Sequence, residues 1–189
     1  MAERLRPAHS RAGGVNTHGR PNRRINSLWL LFGALSLLAW WQIRSLGDVR
    51  SSLAAFYGWF ALAFGVYLAT IWLVRRMAHP PPNALLPIST VALVAVLARL
   101  FALGMTPTLS NDLYRYRWDG RVQLAGIDPY AYPPNDPALA FLRDEPATYI
   151  NFPHLRTIYP PLTELAFRGG ALLGGSLTAH KAVFVATEL

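Results

Sequence analysis

Residues 53–74 read "LAAFYGWFALAFGVYLATIWLV", 22 residues without a charge. A helix of that length rises about 33 Å, enough to cross the roughly 30 Å hydrocarbon layer of a bilayer. Tyr57 and Trp59 lie toward one end and Trp72 toward the other, where interfacial aromatics anchor a span. Arg75, Arg76 and the prolines at 80–82 close the run. With one membrane helix in place, the neighbouring segments are read with lipid as their solvent.

Two similar runs flank it. Residues 27–43, "SLWLLFGALSLLAWWQI", are uncharged and end on Trp40 and Trp41. Seventeen residues is the short end of a spanning helix. A cleaved signal peptide is the rival, but the run is long for one and no small-residue cleavage site follows it closely. Residues 84–104 form the third run, broken only by Arg99 near one end. Arg99 either snorkels to the interface or touches a lipid phosphate.

Charge sets the expected orientation. Six arginines precede residue 25, and Arg75 and Arg76 fall on the same side of the membrane. Only Arg44 and Arg50 fall in the first loop. Short-loop positive charge stays cytoplasmic, so the tail (1–26) and the loop 75–83 are expected inside. The tail has no apolar periodicity and reads as disordered. The third span then exits near Met105, and residues 105–160 form an extracytoplasmic loop on a multi-pass protein of the plasma (inner) membrane. Net charge is +8, and of 18 basic residues all but Lys181 are arginine. No stacking aromatics interleave with the tail arginines, which argues against a nucleic-acid partner. The absence of cysteine excludes disulfides and thiolate chemistry. There is no phosphate-binding glycine loop, nucleophile elbow or zinc-binding helix motif.

The long loop carries its own signals. "LSNDLYRYRWDGRVQLAGIDPY" (109–130) holds three acids, three arginines and four aromatics. Ser110 can cap a helix running to Ala125, with Gly126 ending it. At 100° steps Asp112, Arg115, Tyr116, Asp119 and Gln123 share a face. Arg115 is three after Asp112 and four before Asp119, so one guanidinium is expected to bridge both carboxylates. Tyr114, Trp118, Val122 and Ala125 form an apolar face, giving an amphipathic helix at the membrane surface. Asp112 sits in the first turn, where the helix dipole favours its carboxylate form. Beyond Gly126 the chain is extended and proline-rich, with a short helix expected from Asp136–Pro137 to Arg143. His154 and Arg156 follow in a loop, and Tyr159-Pro160-Pro161 directs the chain into the next helix. Glu164, in that helix's first turn, reads as dipole pairing. Residues 161–175 are too short to span and read as an interfacial or re-entrant helix. Gly174 and Gly175 end it and Ser176 starts another, so 176–189 reads as the start of a fourth span. Because the run stops at Leu189, the chain is expected to be an N-terminal portion of a larger protein and inactive alone.

The motifs "SNDLYRYRWDGRVQLAGIDPYAYPPNDPAL" and "INFPHLRTIYPPLTELAF" resemble the first large external loop of GT-C-fold integral-membrane glycosyltransferases. The likeness is to polyprenyl-phosphate-mannose-dependent mannosyltransferases of the glycosyltransferase family 87 type, and more distantly to those of GPI-anchor assembly. It covers residues 105–189; residues 1–104 match only as generic spans. The resemblance implies an all-α GT-C-like membrane enzyme whose loop acid is the general base. That base would be Asp112. Family members often carry two acids here, whereas this chain has Asn111 then Asp112. Arg115, Asp119, Arg121, His154, Arg156 and Tyr159 become expected contacts for donor phosphate or acceptor. The implied partners are a polyprenyl-phosphate sugar donor, a glycan or glycolipid acceptor and the bilayer. No metal or other cofactor is expected. A non-catalytic or degenerate multi-pass membrane protein is the alternative, and a transporter subunit is disfavoured because only Arg99 lies within a span.

Overall fold

A computed structural model describes residues 23–77 and 85–188. The expectations for the tail before residue 23 and for the prolines at 80–82 lie outside the described residues. Among these residues the chain is all helical, without strands. Three helices are long and apolar enough to cross a membrane: α1 (Arg23–Ser45), α2 (Leu53–Arg76) and α3 (Leu85–Leu103). Residues 23–26, read from sequence as the end of the tail, already belong to α1. Nothing in Arg-Arg-Ile-Asn breaks a helix, and Pro21 falls before its first residue.

α1 packs on both α2 and α3. Gly33 makes the α1–α3 approach possible, since a Cβ there would lie 2.7 Å from the Thr90 methyl. Much of the remaining surface is apolar and exposed, including Leu30, Leu31, Phe64, Tyr67, Leu68, Ile88 and Leu93. Exposed apolar surface on this scale is foreign to a water-soluble monomer and suits a lipid solvent.

The ends of these helices are tied together on one side. Arg44 Nη1 donates to the Phe101 carbonyl at 2.8 Å, capping the end of α3. The Val49 amide donates to Thr108 Oγ1 at 3.1 Å, and Arg50 to the Leu109 carbonyl at 3.2 Å. The short α1–α2 loop and the segment leaving α3 therefore share a side.

On that side sits a small helical cap. It comprises α4 (Asp112–Leu124), α5 (Pro161–Leu172) and α6 (Leu177–Glu188), with 3₁₀ turns at Pro137–Leu142 and Glu145–Tyr149. Local signals explain the boundaries. α4 starts one residue later than a Ser110 cap predicts: Asn111 is its N-cap and makes no side-chain cap, while Ser110 Oγ, one residue before it, accepts from the Asp112 amide at 3.1 Å; Gly126 takes φ +75° after the helix. The Asp136 side chain accepts from the Ala138 amide at 2.9 Å, with Pro137 in the first turn. Gly174 and Gly175 take φ +105° and +68°, and Ser176 Oγ accepts from the Ala179 amide at 3.0 Å.

α4 is not the amphipathic surface helix that its pattern suggests; it is the centre of the cap. One face carries Trp118 and Val122 into a core with Leu139, Leu142 and Ile150. The opposite side meets α5, and Gly120 permits that contact. A Cβ at Gly120 would lie 2.8 Å from the Phe167 carbonyl carbon and closer still to its oxygen. α6 leaves the cap along α3: Lys181 Nζ donates to the Ala102 and Met105 carbonyls at 3.0 and 2.6 Å. Farther along, Arg99 pairs with Glu188 at 3.2 Å. The sequence offered lipid phosphate or snorkelling for Arg99; the fold supplies a carboxylate from α6 instead.

Candidate functional site

Asp112 is the first residue of α4 and is exposed. It borders two cavities. One, about 480 Å³, is apolar and runs among α1, α2 and the end of α3, lined by Trp40, Ile43, Phe56, Phe60, Met105 and Tyr116, with Lys181 beside Asp112 at its polar edge. The other, about 300 Å³, lies between α4 and the loop 151–159, lined by Asp112, Arg115, Asn151, Leu155, Arg156 and Tyr159. A carboxylate thus borders both an apolar cavity and a pocket that holds two arginines.

Arg115 organises the second cavity. Its side chain is nine-tenths buried. Nε donates to both Asp119 oxygens, at 2.9 and 3.0 Å, and Nη1 to the Leu155 carbonyl at 2.9 Å. Nη2 is buried with no acceptor. A buried guanidinium N–H without a partner is costly, and an anion in the pocket would satisfy it. The expected bridge from Arg115 to Asp112 is absent. Arg115 turns toward α5 and the loop, because the Asp119 carboxylate on its C-terminal side is buried while Asp112 faces solvent.

Behind Arg115 lies a second carboxylate that the sequence reading treated as a mere dipole partner. Glu164 of α5 is 3% exposed. Its Oε1 accepts from Thr157 Oγ1 at 2.8 Å and its Oε2 from Gln123 Nε2 at 2.8 Å. Burial, then the nearby Asp119 charge, pushes Glu164 up to about 7. Burial also raises Asp119, but contact with Arg115 works against that. Two carboxyls against one guanidinium cannot both ionise cheaply. The proton belongs on Glu164, because Asp119 has the direct cation.

An aromatic wall adjoins both cavities. Tyr116 stacks on Phe167 with centroids 4.4 Å apart and planes 10° apart. It meets Tyr159 edge-on at 5.2 Å and Phe184 at 5.9 Å. Tyr159 is held by its backbone, whose carbonyl accepts from Tyr130 Oη at 2.6 Å. Burial and the neighbouring Tyr116 raise the Tyr159 phenol, so it stays a neutral hydrogen-bonding group.

Of the residues singled out from sequence, Asp112, Arg115, Arg156 and Tyr159 line one pocket, and Asp119 braces it from behind. Two lie elsewhere. Arg121 points to the opposite side of α4, where it and Arg117 clamp Asp144. Arg117 makes the better contact, 3.0 and 2.7 Å to the two carboxylate oxygens, and also donates to the Gly175 carbonyl at 2.9 Å. The Arg117 hydrogen bonds hold Asp144 below the usual carboxylate range. Nine residues along a helix is half a turn from in phase, so Arg121 cannot share a face with Asp112. His154 is exposed and packs edge-on against Phe152 rather than lining the pocket. Sequence reading missed Glu164, Thr157, Gln123 and Lys181. Glu164 was legible only as a dipole partner and Gln123 only as a member of the polar face of α4; nothing local announces that two helices bring them together 41 residues apart.

Comparison of the chain with protein-family models, with curated proteins and with solved structures finds no match.

Proposed function

We propose that this chain carries the acceptor-activating and phosphate-holding part of an inverting glycosyltransferase of GT-C type. Its donor would be a polyprenyl-phosphate sugar, with mannose as the proposed sugar, and its acceptor a glycan or glycolipid on the extracytoplasmic side of the plasma (inner) membrane. The observation that carries the reading is the position of Asp112 between an apolar cavity and a pocket with an unsatisfied arginine. A lipid-linked phosphodiester has that same polarity: a long apolar chain, one anionic phosphate, then a sugar.

In this mechanism the Asp112 carboxylate takes the proton from an acceptor hydroxyl. The freed oxygen forms a bond to the anomeric carbon from the face opposite the phosphate. The bond between that carbon and the phosphate oxygen breaks, its electron pair passing to the departing polyprenyl phosphate. The anomeric configuration inverts. Arg115 and Arg156 stabilise the charge that accumulates on the leaving phosphate. Tyr116 and Tyr159 offer aromatic faces and a neutral hydroxyl beside the reacting sugar. Lys181, held by the Ala102 and Met105 carbonyls, lines the apolar cavity at its polar edge.

The test is sugar transfer from polyprenyl-phosphate mannose by membranes expressing the complete reading frame, wild type against Asp112→Asn. Loss of a general base costs about 100- to 10,000-fold in rate. Undiminished transfer by the variant removes Asp112 from the mechanism.

A further inference from the structure

We propose that Glu164 is the positioning residue of the anion pocket: a proton held between Glu164 and Asp119 leaves the Arg115 charge to an incoming phosphodiester, and loss of that proton withdraws it. The inference rests on reading the pocket as the seat of an anionic donor. It names what regulates that seat rather than what sits there.

The geometry is a three-layer stack. The outermost layer is the pocket, bounded by Arg115, Arg156 and Tyr159. Next comes Arg115 itself, with Nε committed to Asp119, Nη1 to the Leu155 carbonyl, and Nη2 without an acceptor. Innermost are Asp119, 1% exposed, and Glu164, 3% exposed. When Glu164 is protonated, the Arg115–Asp119 pair is formally neutral and the pocket sees the positive end of that pair. When Glu164 gives its proton to bulk water, two buried carboxylates face one guanidinium, and the local sum becomes negative. An anion in the pocket then meets repulsion in a low-dielectric site.

The surroundings favour a titration in the physiological range. Burial and Asp119 raise Glu164 to about 7. The donors Thr157 Oγ1 and Gln123 Nε2 hold its two oxygens in place whether or not it carries the proton. The other charged or titratable groups around it are few. α4 contributes Asp119 and Arg115. The segment after α4 contributes Tyr130, whose phenol is raised by burial and then by Glu164. The loop 151–159 contributes Tyr159, Arg156 and, farther out, the exposed His154. α5 itself carries Arg168, exposed, one turn beyond Glu164, and α6, packed on α5, brings Lys181 and the buried His180, which burial holds below its ordinary value. Asp112 stands at the pocket rim.

The experiment uses dimethyl phosphate as probe, a diester that keeps one negative charge throughout the relevant pH range. Any pH dependence of its binding then belongs to the protein. Binding to the purified chain in lipid nanodiscs is followed by phosphorus NMR in a His154→Gln background, which removes the neighbouring imidazole. The expected result is binding about tenfold weaker at about pH 8.5 than at about pH 5.5, for one buried charge several ångströms from the probe. Glu164→Gln should bind at both pH values as the parent does at the lower one. Thr157→Val, which removes a donor that favours the ionised carboxylate, should move the midpoint to higher pH. This second variant keeps the question open to measurement if Glu164→Gln folds poorly. A pH-independent parent, or a Glu164→Gln variant with the parent's slope, overturns the proposal. Failure of sugar transfer alongside a normal pH response of diester binding would instead sink the glycosyltransferase reading and leave the role of Glu164 standing.

Discussion

Replacing Gly120 with alanine tests the helix contact on which the whole site depends. The added Cβ would lie 2.8 Å from the Phe167 carbonyl carbon, closer to its oxygen, and 3.1 Å from the Ala171 Cβ. Two of these three neighbours are backbone, so no side chain can swing away. Restoring ordinary contact requires α4 and α5 to part by about 1 Å, and overpacking of this kind costs about 1–3 kcal/mol. Alanine recovers up to ~1 kcal/mol of helix propensity over glycine. A clash with backbone puts the cost near the top of the overpacking range, so the net destabilisation is about 2 kcal/mol, a fall of several degrees in the melting temperature of the cap. The same displacement would stretch the 2.8 Å bonds that Thr157 and Gln123 make to Glu164. Hydrogen exchange at α4 and α5 amides, measured in nanodiscs, reads both effects locally. Gly58→Ala is the control, because its Cβ would meet nothing within 4 Å and it lies within α2. If Gly120→Ala protects those amides as well as Gly58→Ala does, the close approach of α4 to α5 is not what holds the cap together.

Three further outcomes follow from the same structure. Asp144→Ala leaves Arg117 and Arg121 facing each other without their shared acceptor; with Asp144 about a quarter exposed, the cost should be about 1–2 kcal/mol by chemical denaturation, and unaltered stability would show the clamp to be ornamental. Glu164 is raised above its ordinary value, so its contribution to stability is complete below about pH 4.5 and lost as pH rises through about 7; that is at most ~3 kcal/mol, and a cap equally stable at both ends of this range, or a Glu164→Gln variant with undiminished pH dependence, contradicts it. Lys181→Met removes two bonds to the end of α3 and should free α6 by about 1–2 kcal/mol, visible as faster exchange in α6 but not in α1.

The spans were legible in sequence because membrane burial depends on length and average polarity, which are local properties. Residues 53–74 and 27–43 had to be helical in lipid, since an isolated segment can satisfy its backbone there in no other way. The ends of α4, α5 and α6 were legible for a related reason. Ser110, Gly126, Asp136, Gly174, Gly175 and Ser176 act on their own backbone within a turn or so. The grouping of Asp112, Arg115 and Asp119 on one face also came from helical spacing alone.

Partner choice was another matter. Spacing made Asp112 and Asp119 equal partners for Arg115; only the packing of α5 and the loop 151–159 buried one and left the other in solvent. Packing elsewhere in the fold sent Arg121 to Asp144 and gave Arg99 a carboxylate from α6. The packing of α5 also moved Glu164 from a helix end to the interior of the site. Periodicity says which residues share a face but not what that face meets. An ion pair takes its strength, and a carboxyl its pKa, from burial and from neighbours distant in sequence. Local pattern thus carried a helical chain with three helices apolar enough to span a bilayer and an acid at the head of a loop helix. Tertiary structure decided that this acid stands free between two cavities, with the arginine beside it braced by two carboxyls.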